Sequence, residues 1–249
     1  MSKSILKVEN ISKFYNLGTY NYQKFFKIFK SYILNKEETS DRLIALKNIN
    51  LEINEGDSVA ILGKNGYGKS TLCKLLSKVT EPSEGQILIN GKIIPILDIA
   101  FGMELETNGY ENIHFLGALF GINHEFIESK IDQISEFANL KEFLETPLKK
   151  YSSGMRTRLI FSTLVFFPAD LFILDEVLAV SDQSFKNRSI KEIKDKNKNG
   201  TAVICISHEE NIIRSLCKHA YVFSEKGILS ERLDIDEAYK LYNLTVKKG

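Results

Sequence analysis

The stretch that most constrains this chain is "SVAILGKNGYGKST", residues 58–71. An apolar run ends at Gly63, four residues follow, and Gly68, Lys69 and Ser70 then open a stretch with helical periodicity. This G-x-x-x-x-G-K-S spacing between a strand and a helix is typical of a phosphate-binding loop, because glycines let successive backbone N–H groups turn inward. The competing interpretation is a glycine-rich turn before a core helix.

The residues of this loop have distinct expected roles. Lys69 is predicted to reach the β- and γ-phosphates of a nucleotide, and the Ser70 hydroxyl is predicted to ligate Mg²⁺. The positive end of the following helix dipole is expected to favour the same phosphates. The other loop residues predicted to bind the nucleotide are Gly63, Asn65, Gly66, Gly68 and Thr71.

A second stretch, "LFILDE", places two carboxylates after a short apolar run. The run predicts a buried strand that ends at Asp175 and Glu176. Asp175 is expected to hold Mg²⁺ through water, and Glu176 to polarise an attacking water as general base. A strand with a solvated end would also explain this stretch, but the upstream loop favours the catalytic interpretation.

Composition excludes several classes of protein. The 33 Lys and Arg residues almost balance the 32 Asp and Glu residues, so no general electrostatic footprint for nucleic acid is present. The three cysteines are far apart and lack metal-binding spacing, which favours reduced core thiols. No apolar run reaches the roughly 20 residues that span a bilayer.

Short apolar runs alternate with stretches of helical period, which favours an α/β fold with a mostly parallel sheet. A nearly all-helical stretch predicts a helical subdomain at about 99–167, inserted between core segments at about 1–98 and 168–249. The predicted strands cover residues 5–8, 44–53, 58–62, 86–89, 93–96, 171–174, 202–206 and 220–223. The predicted helices cover residues 69–78, 110–120, 124–138, 154–166, 184–196, 209–217 and 235–242.

The segment "KKYSSGMRTRL" sits between these two phosphate-site stretches, and Gly154 lies 21 residues before Asp175. Together the three stretches resemble the ATP-binding subunits of ABC transporters, whose Leu-Ser-Gly-Gly-Gln signature occupies this place. The resemblance implies a P-loop NTPase fold with a mixed sheet core. It also implies that Ser152, Ser153 and Gly154 bind the γ-phosphate of ATP held by the other subunit of a head-to-tail homodimer. An ordinary helix capped by Ser152 or Ser153 is the alternative.

Other positions follow the same resemblance. His208 in "ISHEE" stands at the family's switch histidine, which implies contact with the γ-phosphate and the attacking water. Tyr15 resembles the aromatic that stacks on adenine, with Phe14 as its rival and a core aromatic as the alternative. The stretch at 179–182 resembles the loop that crosses the dimer interface.

The chain also departs from the usual family pattern. Ser153 replaces a glycine, Met155 replaces a glutamine, Tyr67 replaces a small loop residue, and the glutamine that senses Mg²⁺ is missing. In its place, "ILDIAFGMELETNGYENI" resembles the polysaccharide exporters within this family. The matching positions are Gly102, Glu106, Gly109, Glu111 and Asn112, and "YSSGM" and "LDEVLAVSD" carry the same resemblance.

The segment at about 20–36, which contains "NYQKFFKIFKSYI", places aromatic residues at helical spacing with lysines on the other face. A basic amphipathic helix of this kind suits a membrane surface or the groove of a partner. Resemblance to O-antigen exporters implies a gating helix near the bilayer surface. A helix packed on the chain's own core is the alternative.

Together, the phosphate-site patterns and this resemblance imply an ATPase subunit that uses ATP and Mg²⁺, and the resemblance implies that it exports a lipid-linked polysaccharide. The resemblance implies a homodimer, a separate transmembrane permease, and a peripheral position on the cytoplasmic face of the inner membrane. No nucleic acid partner is expected. The alternatives are an ABC ATPase for a different cargo, and a nucleotide-dependent dimerising module with little hydrolysis.

Overall fold

A computed structural model describes residues 3–16, 42–96, 103–176 and 182–247 of the 249-residue chain. Three parts of the sequence-based prediction lie outside these ranges. They are the amphipathic segment at 20–36, Gly102, and most of the predicted interface loop at 179–182.

Strands and helices alternate along most of the described chain. The strands are β1 (Ser4–Asn16), β2 (Arg42–Asn54), β3 (Ser58–Leu62), β4 (Glu84–Ile89), β5 (Ile93–Ile96), β6 (Leu171–Asp175), β7 (Ala202–Ile206), β8 (His219–Glu225), β9 (Ile228–Leu229) and β10 (Leu233–Asp234). The helices are α1 (Lys69–Leu76), α2 (Gly109–Leu119), α3 (His124–Ala138), α4 (Ser153–Phe166), α5 (Gln183–Lys198), α6 (Glu210–Leu216) and α7 (Ile235–Lys247), with 3₁₀ turns at Lys141–Phe143 and Leu148–Lys150.

The larger sheet carries the predicted phosphate-site stretches. Its order is β10-β8-β3-β7-β6-β5, and the pairs from β8 to β5 are parallel. β3 and β7 are buried along their whole length, which explains why each is a continuous apolar run rather than an alternating one. Because β7 lies between β3 and β6, the loops that follow these three strands meet at one edge of the sheet.

The parallel sheet separates two hydrophobic clusters. Ala60 and Leu62 of β3 point into one cluster with the helical region, whereas Val59 and Ile61 point into the other with α1 and the smaller sheet. This division follows from the two-residue period of a strand. The sheet is therefore covered on both faces, as parallel sheets require.

The smaller sheet is antiparallel and has the order β2-β1-β4. The sequence predicted strands in these regions but not a separate sheet. The predicted first strand ended at residue 8, whereas β1 continues to Asn16. Asn10 has a φ of 50° and the β1–β2 pairing shifts register after Val8, so a bulge interrupts the apolar alternation that the prediction relied on.

The helices between β5 and β6 form one packed unit around α4. Every residue from Leu159 to Phe166 is buried, so this part of α4 is covered on all sides rather than amphipathic. The buried hydroxyl groups of Ser162 and Thr163 find hydrogen-bond acceptors within the helix, because each donates to the backbone carbonyl four residues earlier. The predicted helices here agree with α2, α3 and α4 to within one residue at each end.

Elsewhere the helix ends differ more from the prediction. α1 ends at Leu76 rather than 78, because Lys78 adopts a φ of 55°. α7 runs to Lys247 rather than 242. The two-residue strands β9 and β10 were not predicted, since such short strands carry no periodic signal. Across the described part of the chain, no helix is both long and apolar enough to cross a membrane.

A partly buried ion pair fastens the turn before β3 to the segment before β10. Arg232 donates to both carboxylate oxygens of Asp57 over 2.9 and 2.7 Å, and the Asn54 N–H donates to the same carboxylate over 2.8 Å. Burial raises the pKa of Asp57, but the hydrogen bonds from Arg232 and Asn54 outweigh it and hold the pKa below its usual value. The ionised form is thus the one that the fold stabilises.

We expect Asp57→Asn to lower the free energy of unfolding at pH 7 by about 2 kcal/mol, because it removes a paired charge-assisted hydrogen bond. Since the pKa of Asp57 is depressed by folding, this contribution is present above the usual aspartate pKa and is lost as pH falls through the folded value. Urea titrations at pH 7 and about pH 3 measure the difference. The exposed Asp132→Asn, which breaks a surface pair with Lys141, is the control and should change stability little.

Candidate nucleotide-binding site

A cavity of about 520 Å³ opens at the carboxyl edge of the parallel sheet. This volume lies within the range of ligand pockets in proteins, about 300–1,000 Å³. Its walls combine the loop after β3, the start of α1, the end of β6 and the ends of β1 and β2. The lining residues are Tyr15, Leu43, Ala45, Asn65, Gly66, Gly68, Lys69, Ser70, Thr71, Asp175, Glu176 and Lys226.

The floor of the cavity is the loop between β3 and α1. Gly66 and Gly68 both have positive φ, 79° and 113°, which favours glycine. Gly68 is the residue before α1, and no side chain caps this helix or places an acid in its first turn. The first N–H groups of α1 therefore keep their hydrogen-bonding capacity for an anion at the end of the helix.

The two glycines differ in the space around them. A Cβ on Gly68 would lie 2.6 Å from Leu46 Cδ2 and 2.9 Å from the Ala45 carbonyl oxygen, whereas a Cβ on Gly66 would meet no atom of the other described residues within 4 Å. The bend at Gly68 therefore also carries the loop close against β2. Gly63 is equally confined, because its Cβ would lie 2.8 Å from Phe223 Cβ.

We expect Gly66→Ala to cost about 1 kcal/mol of stability, the backbone strain alone. Gly68→Ala should cost about 1–3 kcal/mol more, because the added methyl also clashes with β2. Denaturant unfolding of the two nucleotide-free variants measures this difference directly. Equal stabilities would show that the packing of the loop against β2 does not constrain Gly68.

Lys69 lies at the first position of α1 and is largely buried. Its ammonium donates to the Gly63 carbonyl over 2.7 Å and to the Lys64 carbonyl over 3.1 Å. Burial lowers the pKa of Lys69, and the nearby carboxylates Glu176 and Asp175 oppose part of that shift. The Lys69 side chain thus folds back over the loop between β3 and α1, so that its positive charge lies next to the backbone of that loop.

The acidic end of β6 faces the same cavity. Asp175 and Glu176 both line it, and β6 pairs with β7 through Asp175 and Ile206. Glu176 has a φ of 53°, and its N–H donates to the Ile206 carbonyl over 3.0 Å, so the chain turns sharply just after the strand. A non-glycine residue held at positive φ stores backbone strain, which is common at functional sites.

His208 follows β7, the strand between β3 and β6. Its Nε2 atom lies 2.8 Å from Glu176 Oε1, and both side chains are about half exposed. The structure therefore brings together the two residues that the sequence assigned to the attacking water. The next residue, Glu209, pairs with Lys186 of α5, which ties this loop to the neighbouring helix.

Tyr15 stands at the open side of the cavity, near the end of β1. It is 39% exposed, and Phe14 is not among the lining residues. The Lys13 ammonium lies 5.4 Å from the centre of the Tyr15 ring, a cation–π distance. Of the two aromatic candidates, Tyr15 is thus the one that a ligand in the cavity could reach.

The sequence did not indicate Leu43, Ala45 or Lys226, which also line the cavity. Lys226 lies in the turn between β8 and β9. This turn is fixed on two sides, because the Gly227 N–H donates to the Tyr67 carbonyl over 3.0 Å and the Gly227 carbonyl accepts from Lys47 over 2.8 Å. No local pattern could have found Lys226, since only the tertiary fold brings its turn to the phosphate-binding loop.

Ser152, Ser153 and Gly154 lie at the start of α4 and do not line this cavity. The Ser152 hydroxyl accepts from the Met155 N–H over 3.2 Å, so Ser152 is the N-cap. Among the described residues, and apart from its chain neighbours and its own helix backbone, the nearest atom to a Cβ on Gly154 would be the Ser152 hydroxyl at 4.0 Å. Packing against the described residues therefore does not require glycine at this position.

Comparison with known proteins agrees with this geometry. The family model described as "ABC transporter" matches residues 46–179, more than half of the chain. The O-antigen export system ATP-binding protein RfbB of Klebsiella pneumoniae is 33% identical over 201 residues, which cover 81% of each protein. The teichoic acids export ATP-binding protein TagH of Bacillus cereus is 33% identical over 243 residues, 98% of this chain but 43% of TagH. The chain thus spans less than half of that relative's length.

Solved structures show the same fold at low sequence identity. A dimeric ATP-binding cassette in a post-hydrolysis state bound to ADP and phosphate superposes with a TM-score of 0.74 at 19% identity. The match covers 93% of this chain and 99% of that one. The fold, the phosphate-binding loop and the family match agree, so the chain belongs to the ABC transporter family as an ATP-binding, ATP-hydrolysing subunit.

Proposed function

We propose that this chain hydrolyses ATP to drive the export of a lipid-linked polysaccharide through a separate membrane permease. The observation that supports the catalytic part of this proposal is the shared cavity of Lys69, Ser70, Asp175 and Glu176. The relatives named for O-antigen and teichoic acid export support the cargo.

In this proposal the phosphates of ATP lie on the loop between β3 and α1. The backbone N–H groups and the end of α1 attract their negative charge, and Lys69 moves from the Gly63 and Lys64 carbonyls to the β- and γ-phosphates. Tyr15 offers its exposed ring to the adenine. The other nucleotide contacts are Gly63, Asn65, Gly66, Gly68 and Thr71.

Ser70 and Asp175 are the residues that would hold Mg²⁺. Both are oxygen donors that line the same cavity, and Mg²⁺ prefers a few carboxylate or hydroxyl oxygens together with phosphate and water. When bound, the ion neutralises charge on the phosphates. The oxygen-only donor set therefore fits Mg²⁺ rather than a softer metal.

Glu176 is the proposed general base and His208 its positioning partner. The 2.8 Å contact between them holds the carboxylate at the cavity wall, where it can accept a proton from water attacking the γ-phosphate. In the ATP-bound state, His208 would turn its N–H from Glu176 toward that phosphate and the attacking water. The strained backbone at Glu176 fixes the direction in which the carboxylate points.

Two copies of the chain would share each site. Ser152, Ser153 and Gly154 do not line the cavity of their own chain, which supports contact with a phosphate held by another copy. The unhindered space at Gly154 supports this arrangement, because a phosphate could approach the backbone there closely. The proposed assembly is a head-to-tail homodimer bound to the permease at the cytoplasmic face of the inner membrane, with the segment at 20–36 on the membrane surface.

Depletion of the chain in its own cell tests the cargo. Lipid-linked polymer should accumulate inside while surface polysaccharide falls. Re-expression of the native chain should reverse both changes, and re-expression of Lys69→Ala should reverse neither. Unchanged polymer on both sides of the membrane would overturn the polysaccharide assignment and leave the ATPase assignment standing.

A further inference from the structure

Two histidines and a glutamate meet on the outer surface of the α2–α3 hairpin, on the helical subdomain and outside the nucleotide cavity. His114 belongs to α2, and His124 and Glu128 belong to α3. Their potential ligand atoms all lie within 4.8 Å of one another. We propose that these three side chains form a binding site for a zinc-class divalent cation.

The fold brings these side chains together through a close contact between the two helices. A Cβ on Gly117 would lie 2.0 Å from Ile127 Cδ1, so the glycine leaves room for the Ile127 side chain where α2 and α3 approach each other. A short turn with Gly121 at a φ of 61° reverses the chain between them. His124 and Glu128 are four residues apart and therefore project from the same face of α3, toward His114.

The separations suit a tetrahedral cation. The Nδ1 atoms of His114 and His124 are 3.2 Å apart, close to the roughly 3.3 Å between two imidazole nitrogens that each lie about 2.0–2.1 Å from zinc. Glu128 Oε1 lies 2.8 Å and 4.0 Å from the other ring nitrogens, Nε2 of His114 and Nε2 of His124, so the carboxylate has to shift toward the Nδ1 atoms to share a cation with them. A rotation of these side chains within the cluster would let three ligands converge and leave one position for water.

The donor set selects the kind of cation. Two imidazoles and one carboxylate suit zinc, copper or nickel, whereas Mg²⁺ and Ca²⁺ prefer oxygen ligands alone.

The carboxylate is already held in place. The Tyr110 hydroxyl, one turn before His114 on α2, donates to Glu128 Oε1. Hydrogen bonds that orient a ligand commonly change metal affinity by about 10–100-fold. The His124 side chain is 72% exposed, so a cation has a direct path from solvent.

Spectroscopic titration with Co²⁺, a zinc substitute with visible absorption, tests the proposal. The full chain is used after removal of any affinity tag, without nucleotide and in excess Mg²⁺ so that sites for hard cations are filled. We expect one Co²⁺ per chain, an absorption typical of four or five ligands including imidazole, and displacement by Zn²⁺. The double variant His114→Gln with His124→Gln should bind at least about 100-fold more weakly, and Tyr110→Phe about 10-fold or more.

Glu125→Gln is the matched control, because it removes a carboxylate next to His124 that is not part of the cluster. It should bind Co²⁺ as the native chain does. Circular dichroism of the metal-free variants checks that each has folded. The proposal is overturned if the native chain does not bind Co²⁺ or Zn²⁺ below about 0.1 mM, or if the folded double variant binds as tightly as the native chain. These outcomes do not depend on ATP hydrolysis, so they leave the proposed function unaffected.

Discussion

Glu176→Gln should abolish steady-state ATP hydrolysis while ATP binding persists. The amide cannot accept the proton of the attacking water, and loss of a general base commonly costs about 100–10,000-fold in rate. The change keeps the size of the side chain, so the cavity and the Lys69 site should remain intact. We further expect the variant to accumulate as an ATP-bound dimer, because hydrolysis would no longer reopen it.

Two measurements separate these effects. Phosphate release reports turnover, and size-exclusion chromatography with and without ATP reports the dimer. Glu210→Gln is the control, because Glu210 forms a surface pair with Arg214 and does not line the cavity. Turnover near the native rate in Glu176→Gln would show that another group activates the water.

Lys69→Ala should fail at the earlier step and bind ATP about 10–100-fold more weakly. A charge-assisted contact with phosphate contributes about 1.5–3 kcal/mol, and each 1.4 kcal/mol is about tenfold in affinity. The substitution also removes the buried ammonium from the Gly63 and Lys64 carbonyls, which leaves those acceptors to water. Hydrolysis and the ATP-dependent dimer should both disappear.

Lys64→Ala is the matched control for this variant. It removes the same charge from the same loop, but only the carbonyl of Lys64 takes part in the site, and its side chain does not line the cavity. Equilibrium binding of a fluorescent ATP analogue compares the two. Equal affinities would show that general positive charge in the loop, rather than the position of Lys69, attracts the nucleotide.

Local patterns predicted the part of the candidate site that lies at the edge of the parallel sheet. Asp175 and Glu176 lie at the end of the buried strand β6, and Lys69 and Ser70 follow the glycine-containing loop after β3. Their convergence follows from the rule that the carboxyl ends of parallel strands share one edge. The helices of the inserted region were predicted for the same reason, since each carries its own periodicity and capping residue.

Other features depend on contacts between distant parts of the chain. Lys226 lines the cavity because backbone hydrogen bonds join the next residue, Gly227, to Tyr67 and to Lys47 and so hold the turn in place. In the antiparallel sheet, β1 lies between β2 and β4. No local residue pattern predicts this strand order. The positive φ of Glu176 is likewise set by its backbone bond to Ile206, a contact across the sheet.

The burial of α4 from Leu159 to Phe166 has a mechanical consequence. The helix runs from Ser153, just after its N-cap Ser152, to Phe166, and β6 begins at Leu171. Fourteen helical residues span about 21 Å, and close-packed interiors compress little. A displacement imposed at Ser152 by a neighbouring molecule should therefore move the helix as a rigid unit rather than be absorbed by bending within it.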